Sequence, residues 1–264
     1  NKAELNTEPV RVATKLHPLA NVSTCYALFY FFISPRFWLI SASQMSATMV
    51  TEMSFLFTLY LKDVKHLSPG LSSTLTSVFG VGTMISIFAG GPLYDKINYF
   101  VLGRTILMTL LCMLTTGCAV LLWLLPGMPV EGTLAVYFIF GVSISPVFNI
   151  PIGVFASSFG GPKHCAKLSS IVEAVAVGFS AMVYLVSGII LERYGWSTFL
   201  AIIAALCGVS VVTMFLFQLL DAWARILEVR KHKKAEEEMI AKTLETTAVS
   251  VQSPVLPPVL PQTV

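Results

Sequence analysis

The chain has 264 residues, of which 55% are hydrophobic and 12% are charged, and its formal net charge is +3. An average soluble domain is about 45–50% apolar and about 25% charged. With a mean hydropathy of +0.78, the chain has too little polar surface to coat a soluble globule. The composition therefore excludes an ordinary soluble domain and indicates an integral membrane protein.

The N-terminal residues 1–35 are mixed and polar, and we predict a cytoplasmic linker there. The chain begins at Asn1 rather than Met and has no cleavable signal pattern, so it reads as a piece of a longer polypeptide. The next part, 36–220, is predicted to be a six-helix transmembrane domain. About 20 apolar residues are needed to cross a hydrocarbon core of about 30 Å as a helix. Six stretches meet this requirement, at about 37–61, 71–94, 103–125, 134–156, 168–191 and 197–220.

The positive charges are distributed unevenly about these spans. Because the intervening loops are short, successive spans must run antiparallel. Fourteen of the seventeen Lys and Arg residues then fall on the side of the N-terminus and three, Lys62, Lys65 and Arg193, on the other. The positive-inside rule places the richer side in the cytoplasm, so we predict a multi-pass protein with both termini cytoplasmic. The sequence leaves open which membrane it occupies.

Two further segments follow the last span. Residues 221–245 are rich in Lys, Arg and Glu and are predicted to form a cytoplasmic helix, which either continues the last span or lies along the anionic leaflet. Residues 246–264 contain the Pro-rich run 253–261 and are predicted to be disordered or polyproline-like.

Two acidic residues lie inside the predicted spans. A charged side chain is costly in hydrocarbon, so each is a functional candidate. Glu52 lies near the middle of the first span and is the candidate proton or cation site. Glu173 lies about one and a half turns into the fifth span. The alternative for both is a structural acid that is hydrogen-bonded within the bundle.

Polar residues near Glu52 share its helical face. Gln44 and Glu52 are eight residues apart, and Thr48 lies between them at the i+4 position. With Thr51 they form a predicted polar stripe facing a cavity, the alternative being hydrogen bonds between helices.

The fourth span has two prolines five residues apart, Pro146 and Pro151, with Ser145 and Asn149 beside them. Such irregularity inside a membrane is tolerated where it lines protein or a water-filled cavity, so we predict a helix break there and take Ser145 and Asn149 as candidate solute contacts. The alternative is a plain structural kink. Plain packing seams are predicted where small residues recur every four positions, at 82, 86 and 90 and at 174 and 178.

No enzyme site is evident. The five cysteines form no Cys-x-x-Cys pair, and the four histidines lie in loops or tails without ligand spacing. We therefore expect no catalytic residues, no metal, no cofactor and no nucleic-acid partner. An intramembrane enzyme would gather paired catalytic groups within its spans, and two lone glutamates do not make such a pair.

The turn after the second span carries a recognisable motif. Its sequence from Gly91 to Lys96, Gly-Pro-Leu-Tyr-Asp-Lys, resembles the Gly-x-Leu-x-Asp-Arg signature that major facilitator superfamily transporters carry between their eighth and ninth helices. The resemblance implies an all-α fold in which the six spans are helices seven to twelve of a twelve-helix transporter. It also implies a cytoplasmic gate motif made of Gly91, Asp95, Lys96 and the trailing base Arg104.

Other segments resemble one branch of that family, the organophosphate/phosphate antiporters and sugar-phosphate exchangers; these are 60–66, 145–146, 160–167, 171–173 and 188–196. Members that recognise phosphate carry a basic residue midway along the seventh helix. This chain reads Met-Val-Thr-Glu at 49–52 instead, which favours a proton-coupled or cationic-substrate site at Glu52.

The sequence thus leads to one main hypothesis and two alternatives. The main hypothesis is secondary active transport of a small polar organic solute by alternating access, proton-coupled through Glu52, as an antiporter or symporter. Its expected partners are the solute, the bilayer and an N-terminal six-helix half of the same transporter. The alternatives are a sugar-phosphate or glycerol-phosphate/phosphate exchanger, and a non-transporting membrane scaffold or receptor that recruits partners through its basic helix and Pro-rich tail.

Overall fold

The computed structural model describes Leu19, residues 22–97 and residues 102–251; within these ranges the side chains at 53, 225, 228–229 and 231–251 lie outside the description. Of the described residues 92% are helical and none lies in a strand, which confirms the all-α class. Two compact units are present. The first unit ends at Leu219. The second begins at Leu220, and its described part is helical to Val251.

Six helices follow one another along the described chain. They are α1 (Thr24–Ile33), α2 (Pro35–Ser54), α3 (Phe57–Asp63), α4 (Pro69–Ile97), α5 (Gly103–Leu124) and α6 (Val130–Val251). Helix α1 falls within the stretch that the sequence reading assigned to a linker. Its ten residues, Thr-Cys-Tyr-Ala-Leu-Phe-Tyr-Phe-Phe-Ile, carry no charge, and most of the polar residues of that stretch lie before it.

The long helix α6 is interrupted at two glycines. Gly161 has φ 64° and ψ −177°, and Gly195 has φ 75° and ψ −179°. Residues with a side chain rarely adopt this region, so glycine is favoured at both points. Pro162 directly follows the first interruption, where its fixed φ suits the first position of a new helix. The three segments of α6 are therefore 130–160, 162–194 and the part after 195.

These segments pack against each other. The rings of Phe155 and Phe217 are 5.5 Å apart, whereas a continuous straight helix would separate residues 62 positions apart by roughly 90 Å at a rise of about 1.5 Å each. Leu168 and Val172, from the second segment, belong to the same buried cluster as Phe155 and Phe217. The chain must therefore fold back at the glycines, and the segments act as separate helices.

The fold has two buried apolar clusters. One cluster contains side chains of α3, of the first part of α4, and of the first and third segments of α6 near Tyr137 and Phe199. The other lies around Phe31, Met108 and Leu168 and joins α1 to α5 and α6. Between helices embedded in lipid, such clusters contribute through close van der Waals packing rather than through removal of apolar surface from water.

Several helices are long and apolar enough to cross a bilayer. Among the described residues these are Pro69–Ile97, Gly103–Leu124 and the interrupted stretch Val130–Ala224; Thr24–Ile33 and Pro35–Glu52 qualify as a pair bent by 78°. The helices are thus compatible with an integral membrane protein.

The two predicted packing seams have different outcomes. The row at 82, 86 and 90 is confirmed: all three residues are buried, and a Cβ added at Gly82 would lie 2.6 Å from the carbonyl oxygen of Phe138. The Ser86 hydroxyl donates a hydrogen bond to the carbonyl of Val142. The pair at 174 and 178 is exposed, and no described atom lies within 4 Å of a Cβ added at Gly178. It forms no seam within the described part of the chain.

The predicted break at Pro146 and Pro151 is wrong. Both prolines lie inside the first segment of α6, where the backbone keeps helical φ and ψ. The interruptions occur instead at Gly161 and Gly195, where the backbone takes the positive φ that glycine reaches without a steric cost. The prolines each remove a helical hydrogen bond, but membrane helices tolerate this where neighbouring groups satisfy the freed carbonyls.

Candidate functional site

Glu52 lies beside a helix break. Helix α2 ends at Ser54 and α3 begins at Phe57, and the two residues between them form a turn. The amide of Phe55 donates a 3.1 Å hydrogen bond to the carbonyl of Glu52, which is the tighter i to i+3 pattern of a helix end. The Glu52 side chain is half-buried, and no hydrogen-bond or ion-pair partner for its carboxylate occurs among the described side chains. The carboxyl group therefore remains a candidate site for a proton, a cation or a solute.

The break is closed by a residue from a distant part of the chain. The hydroxyl of Tyr137, in the first segment of α6, donates a 2.6 Å hydrogen bond to the carbonyl of Ser54. Tyr137 is only 2% exposed, and its ring centroid lies 3.5 Å from that of Phe57 at the start of α3. An unpaired carbonyl in a water-free interior costs several kcal/mol. The hydrogen bond from Tyr137 removes this cost for the carbonyl of Ser54 and so stabilises the interrupted helix.

Two hydroxyl groups of the predicted polar stripe form hydrogen bonds to carbonyls of their own helix, α2. The Thr48 hydroxyl donates to the carbonyl of Gln44 at 2.8 Å, and the Thr51 hydroxyl donates to that of Ala47 at 2.9 Å. Gln44 and Thr48 are buried, whereas Thr51 is half-buried like Glu52. The Gln44 Oε1 atom is buried without a hydrogen-bond partner in the described structure. Thr51 and Glu52 are thus the accessible end of the stripe, and Gln44 is its buried end.

Ser145 and Asn149 contact each other. The amide nitrogen of the Asn149 side chain donates to the Ser145 carbonyl at 2.9 Å and lies 3.5 Å from its Oγ. Ser145 is buried, and Asn149 is exposed. Within the described part of the chain no hydrogen bond joins this pair to α2.

A small cavity, lined by hydroxyl, thiol and apolar side chains, lies between α2, α5 and the first and third segments of α6. The sequence does not predict it. Its wall includes Ser46 of α2, Cys112 and Thr115 of α5, and Cys207 and Ser210 of α6. Next to it the Thr115 hydroxyl donates to Ser143 Oγ at 2.9 Å, and the hydroxyls of Ser43 and Ser210 are 3.3 Å apart. Single serines in apolar spans are common, and only the packing of non-adjacent helices reveals that these meet.

Glu173 and the predicted gate residues lie elsewhere. Glu173 is exposed on the second segment of α6. At the end of α4, Asp95 and Lys96 are exposed and Gly91 is half-buried. The carbon of the Arg104 guanidinium lies 4.5 Å from the ring centroid of Tyr94, a cation–π contact. Asp95 forms no ion pair with any described residue. Arg104 instead contacts the ring of Tyr94, the residue that precedes Asp95.

Comparison with known proteins finds no match: no protein-family model, no curated protein and no solved structure is significantly similar to the chain.

Proposed function

We propose that this chain is the membrane-embedded C-terminal half of a major facilitator-type secondary transporter that moves a small polar organic solute by alternating access. The six crossings are α2 with α3, then α4, α5 and the three segments of α6. Glu52 carries the proton that is coupled to solute movement. The twelve-helix cavity is completed by an N-terminal half with six further crossings.

One observation carries this proposal, the helix break beside Glu52. Helices that are interrupted near the middle of the membrane recur at the binding sites of secondary transporters, where the freed backbone groups and half-helix ends contact the substrate or the coupling ion. Here the break begins three residues after an acidic residue in a mostly apolar bundle. An intramembrane carboxyl group without a basic partner is suited to carry a proton, because its protonated form is uncharged.

The exposed surface of the second segment of α6 is consistent with contact to an N-terminal half of the transporter. This segment exposes Glu173 together with the apolar side chains of Val175, Val177 and Met182. A carboxylate facing lipid would be strongly disfavoured, whereas one that borders a water-filled cavity between two halves keeps its hydration. An interface of this kind also accounts for the exposed small residues at 174 and 178, which leave room for a close approach.

Proton coupling at Glu52 is tested in liposomes loaded with a pH-sensitive dye. Full-length protein is reconstituted, and proton influx is recorded on adding amino acids, nucleosides, sugars and sugar phosphates in turn. We expect at least one uncharged or zwitterionic solute to evoke influx, and Glu52→Gln to abolish it. The matched control is Glu131→Gln, an exposed acid in the first turn of α6, which should leave the influx unchanged.

Two outcomes contradict the proposal. If Glu52→Gln leaves coupled influx at the wild-type level, Glu52 does not carry the proton. If only phosphate esters are transported, in exchange for inorganic phosphate and without proton movement, the protein is an exchanger of phosphorylated solutes instead.

A further inference from the structure

Helix α1 meets α2 at a fixed corner. The two helices are bent by 78° at a break of a single residue, Ser34. The amide of Ser34 donates to the carbonyl of Phe31 at 3.0 Å, and the indole nitrogen of Trp38 donates to the carbonyl of Phe32 at 2.8 Å. The corner is thus held by two hydrogen bonds to carbonyls of α1, one from the linking residue and one from α2. If α2 crosses the bilayer with a tilt of about 20° or less, α1 must run close to the membrane plane.

The two sides of α1 differ in what they contact. Ala27 and Phe31 are buried against the protein, and the rings of Tyr30 and Phe31 lie 5.4 and 5.6 Å from that of Phe159 in α6. The other side exposes four large apolar or aromatic side chains, Tyr26, Phe29, Phe32 and Ile33, by 44–65% of their area. A patch of this kind is unfavourable in water, and tyrosine is enriched where the membrane meets water.

Two lysines fasten the beginning of α1 and add positive charge there. Lys163 Nζ donates to the carbonyl of Val22, and Lys167 Nζ donates to the hydroxyl of Thr24, each at 2.9 Å. Both lysine side chains are exposed, and an ammonium group has three N–H donors. Helix α1 itself contains no acidic residue. The lysines fall on the side that the positive-inside rule assigns to the cytoplasm, where the leaflet is anionic.

We propose that α1 is an in-plane helix seated in the headgroup layer of the anionic cytoplasmic leaflet. Its aromatic side enters the boundary between headgroups and acyl chains, its opposite side packs on Phe159, and Lys163 and Lys167 bind lipid phosphates or carboxylates at its N-terminal end. The positive charge of the lysines and the 78° corner both favour the bilayer surface as the partner that covers the exposed side of α1. This inference rests on the crossings assigned above but is independent of what the protein transports.

The depth of α1 is measured with spin labels. The background is the full chain with Cys25→Ser and Cys165→Ser, which leaves only the three buried cysteines. Single cysteines replace Tyr26, Phe29 or Ile33 and are labelled in bilayers of phosphatidylcholine and phosphatidylserine. Power saturation with oxygen and a neutral nickel chelate then gives the depth of each label. We expect the three α1 depths to agree to within a few Å, just below the phosphates.

Control labels on α4 calibrate the result. Val81 and Phe88 are exposed and seven residues apart on one helix, so their depths should differ by roughly 10 Å at about 1.5 Å per residue. A similar gradient from Tyr26 to Ile33 would make α1 part of a crossing and overturn the proposal, as would full access of the nickel chelate to all three α1 labels. If the α4 labels show no gradient, the crossings themselves are wrong, which is a separate failure.

The role of the lysines is tested locally. Adding phosphatidylserine to phosphatidylcholine bilayers should reduce the access of the nickel chelate to the Tyr26 label. The double variant Lys163→Gln and Lys167→Gln retains donors for Val22 and Thr24 but has no charge, and it should lose at least half of this reduction. Lys62→Gln, an exposed lysine on the opposite side, should retain it. An unchanged response in the double variant would remove anionic lipid from the proposal.

Discussion

The hydroxyl of Tyr137 donates a 2.6 Å hydrogen bond to the backbone carbonyl of Ser54, the last residue of α2, across 83 positions of the chain. Helix ends leave carbonyls without partners in their own helix, and a bilayer core has no water to satisfy them. The helix break beside Glu52 is therefore stabilised by a side chain from another helix.

Replacement of Tyr137 by Phe should destabilise the protein without removing its ring contacts. The Ser54 carbonyl would stay buried without a partner, at a cost of about 1–3 kcal/mol. Thermal unfolding in detergent, followed by the fluorescence of a thiol-reactive dye on the buried cysteines, measures the loss. The control is Tyr184→Phe, an exposed tyrosine, which should unfold at the wild-type temperature. If both variants behave alike, the bond to Ser54 contributes nothing to stability.

The crossing of α4 with the first segment of α6 is tight at two glycines. A Cβ at Gly82 would lie 2.6 Å from the Phe138 carbonyl oxygen, and one at Gly141 would lie 2.5 Å from that of Phe79. Each helix thus presents a glycine to the backbone of the other. Small residues are favoured at such crossings because they let two backbones approach closely.

Alanine at either of these glycines should force the helices apart. Because the opposing atom is backbone and cannot rotate away, we expect Gly82→Ala and Gly141→Ala each to cost about 1–3 kcal/mol, as for an overpacked core. The control is Gly80→Ala, which lies in the same helix with no described atom within 4 Å of the added Cβ. That variant should gain up to about 1 kcal/mol from helix propensity. Equal melting temperatures for Gly80→Ala and Gly82→Ala would contradict the close crossing.

Lys65 ties two loops together. Its Nζ donates a 2.7 Å hydrogen bond to the carbonyl of Pro126 and a second bond to that of Met128. These loops follow α3 and α5 and are far apart in the sequence. Two backbone carbonyls are therefore held by one ammonium group.

We expect Lys65→Met to lower the free energy of unfolding by about 1–2 kcal/mol, since hydrogen bonds to charged groups are the stronger class and this site is partly exposed. Limited proteolysis should also cut the 125–129 loop faster. The comparison is Lys62→Met, in which an exposed lysine with no described hydrogen bond is replaced. Should Lys62→Met and Lys65→Met be cleaved at the same rate, the lysine bridge does not hold the loop.

Several features were predictable from the sequence because they depend on composition or on helical period. The all-α class and the apolar stretches follow from runs of about 20 apolar residues with few charges. The small-residue row at 82, 86 and 90 follows from the four-residue repeat. The role of Glu52 stays a prediction, which rests on the cost of a carboxyl group within an apolar run.

Helix α1 and the true helix breaks were not predicted. The aromatic run 24–33 is too short to span a membrane by itself, so a length criterion assigned it to a linker. The Pro146 and Pro151 pair suggested a break, yet both prolines fit into continuous helix. The interruptions at Gly161 and Gly195 depend on positive φ, which glycine permits but does not require.

What the sequence determined by itself is thus local: the helical class, the apolar stretches, the uneven positive charge and the two acids within apolar runs, because each depends on neighbours within a few turns. What only the tertiary structure decided is which distant groups meet. The bond from Tyr137 to Ser54, the glycine crossing of α4 with α6 and the lysines that hold α1 each join residues more than 50 positions apart. No helical period relates residues at such separations, and only the packing of whole helices brings them within hydrogen-bonding or van der Waals distance.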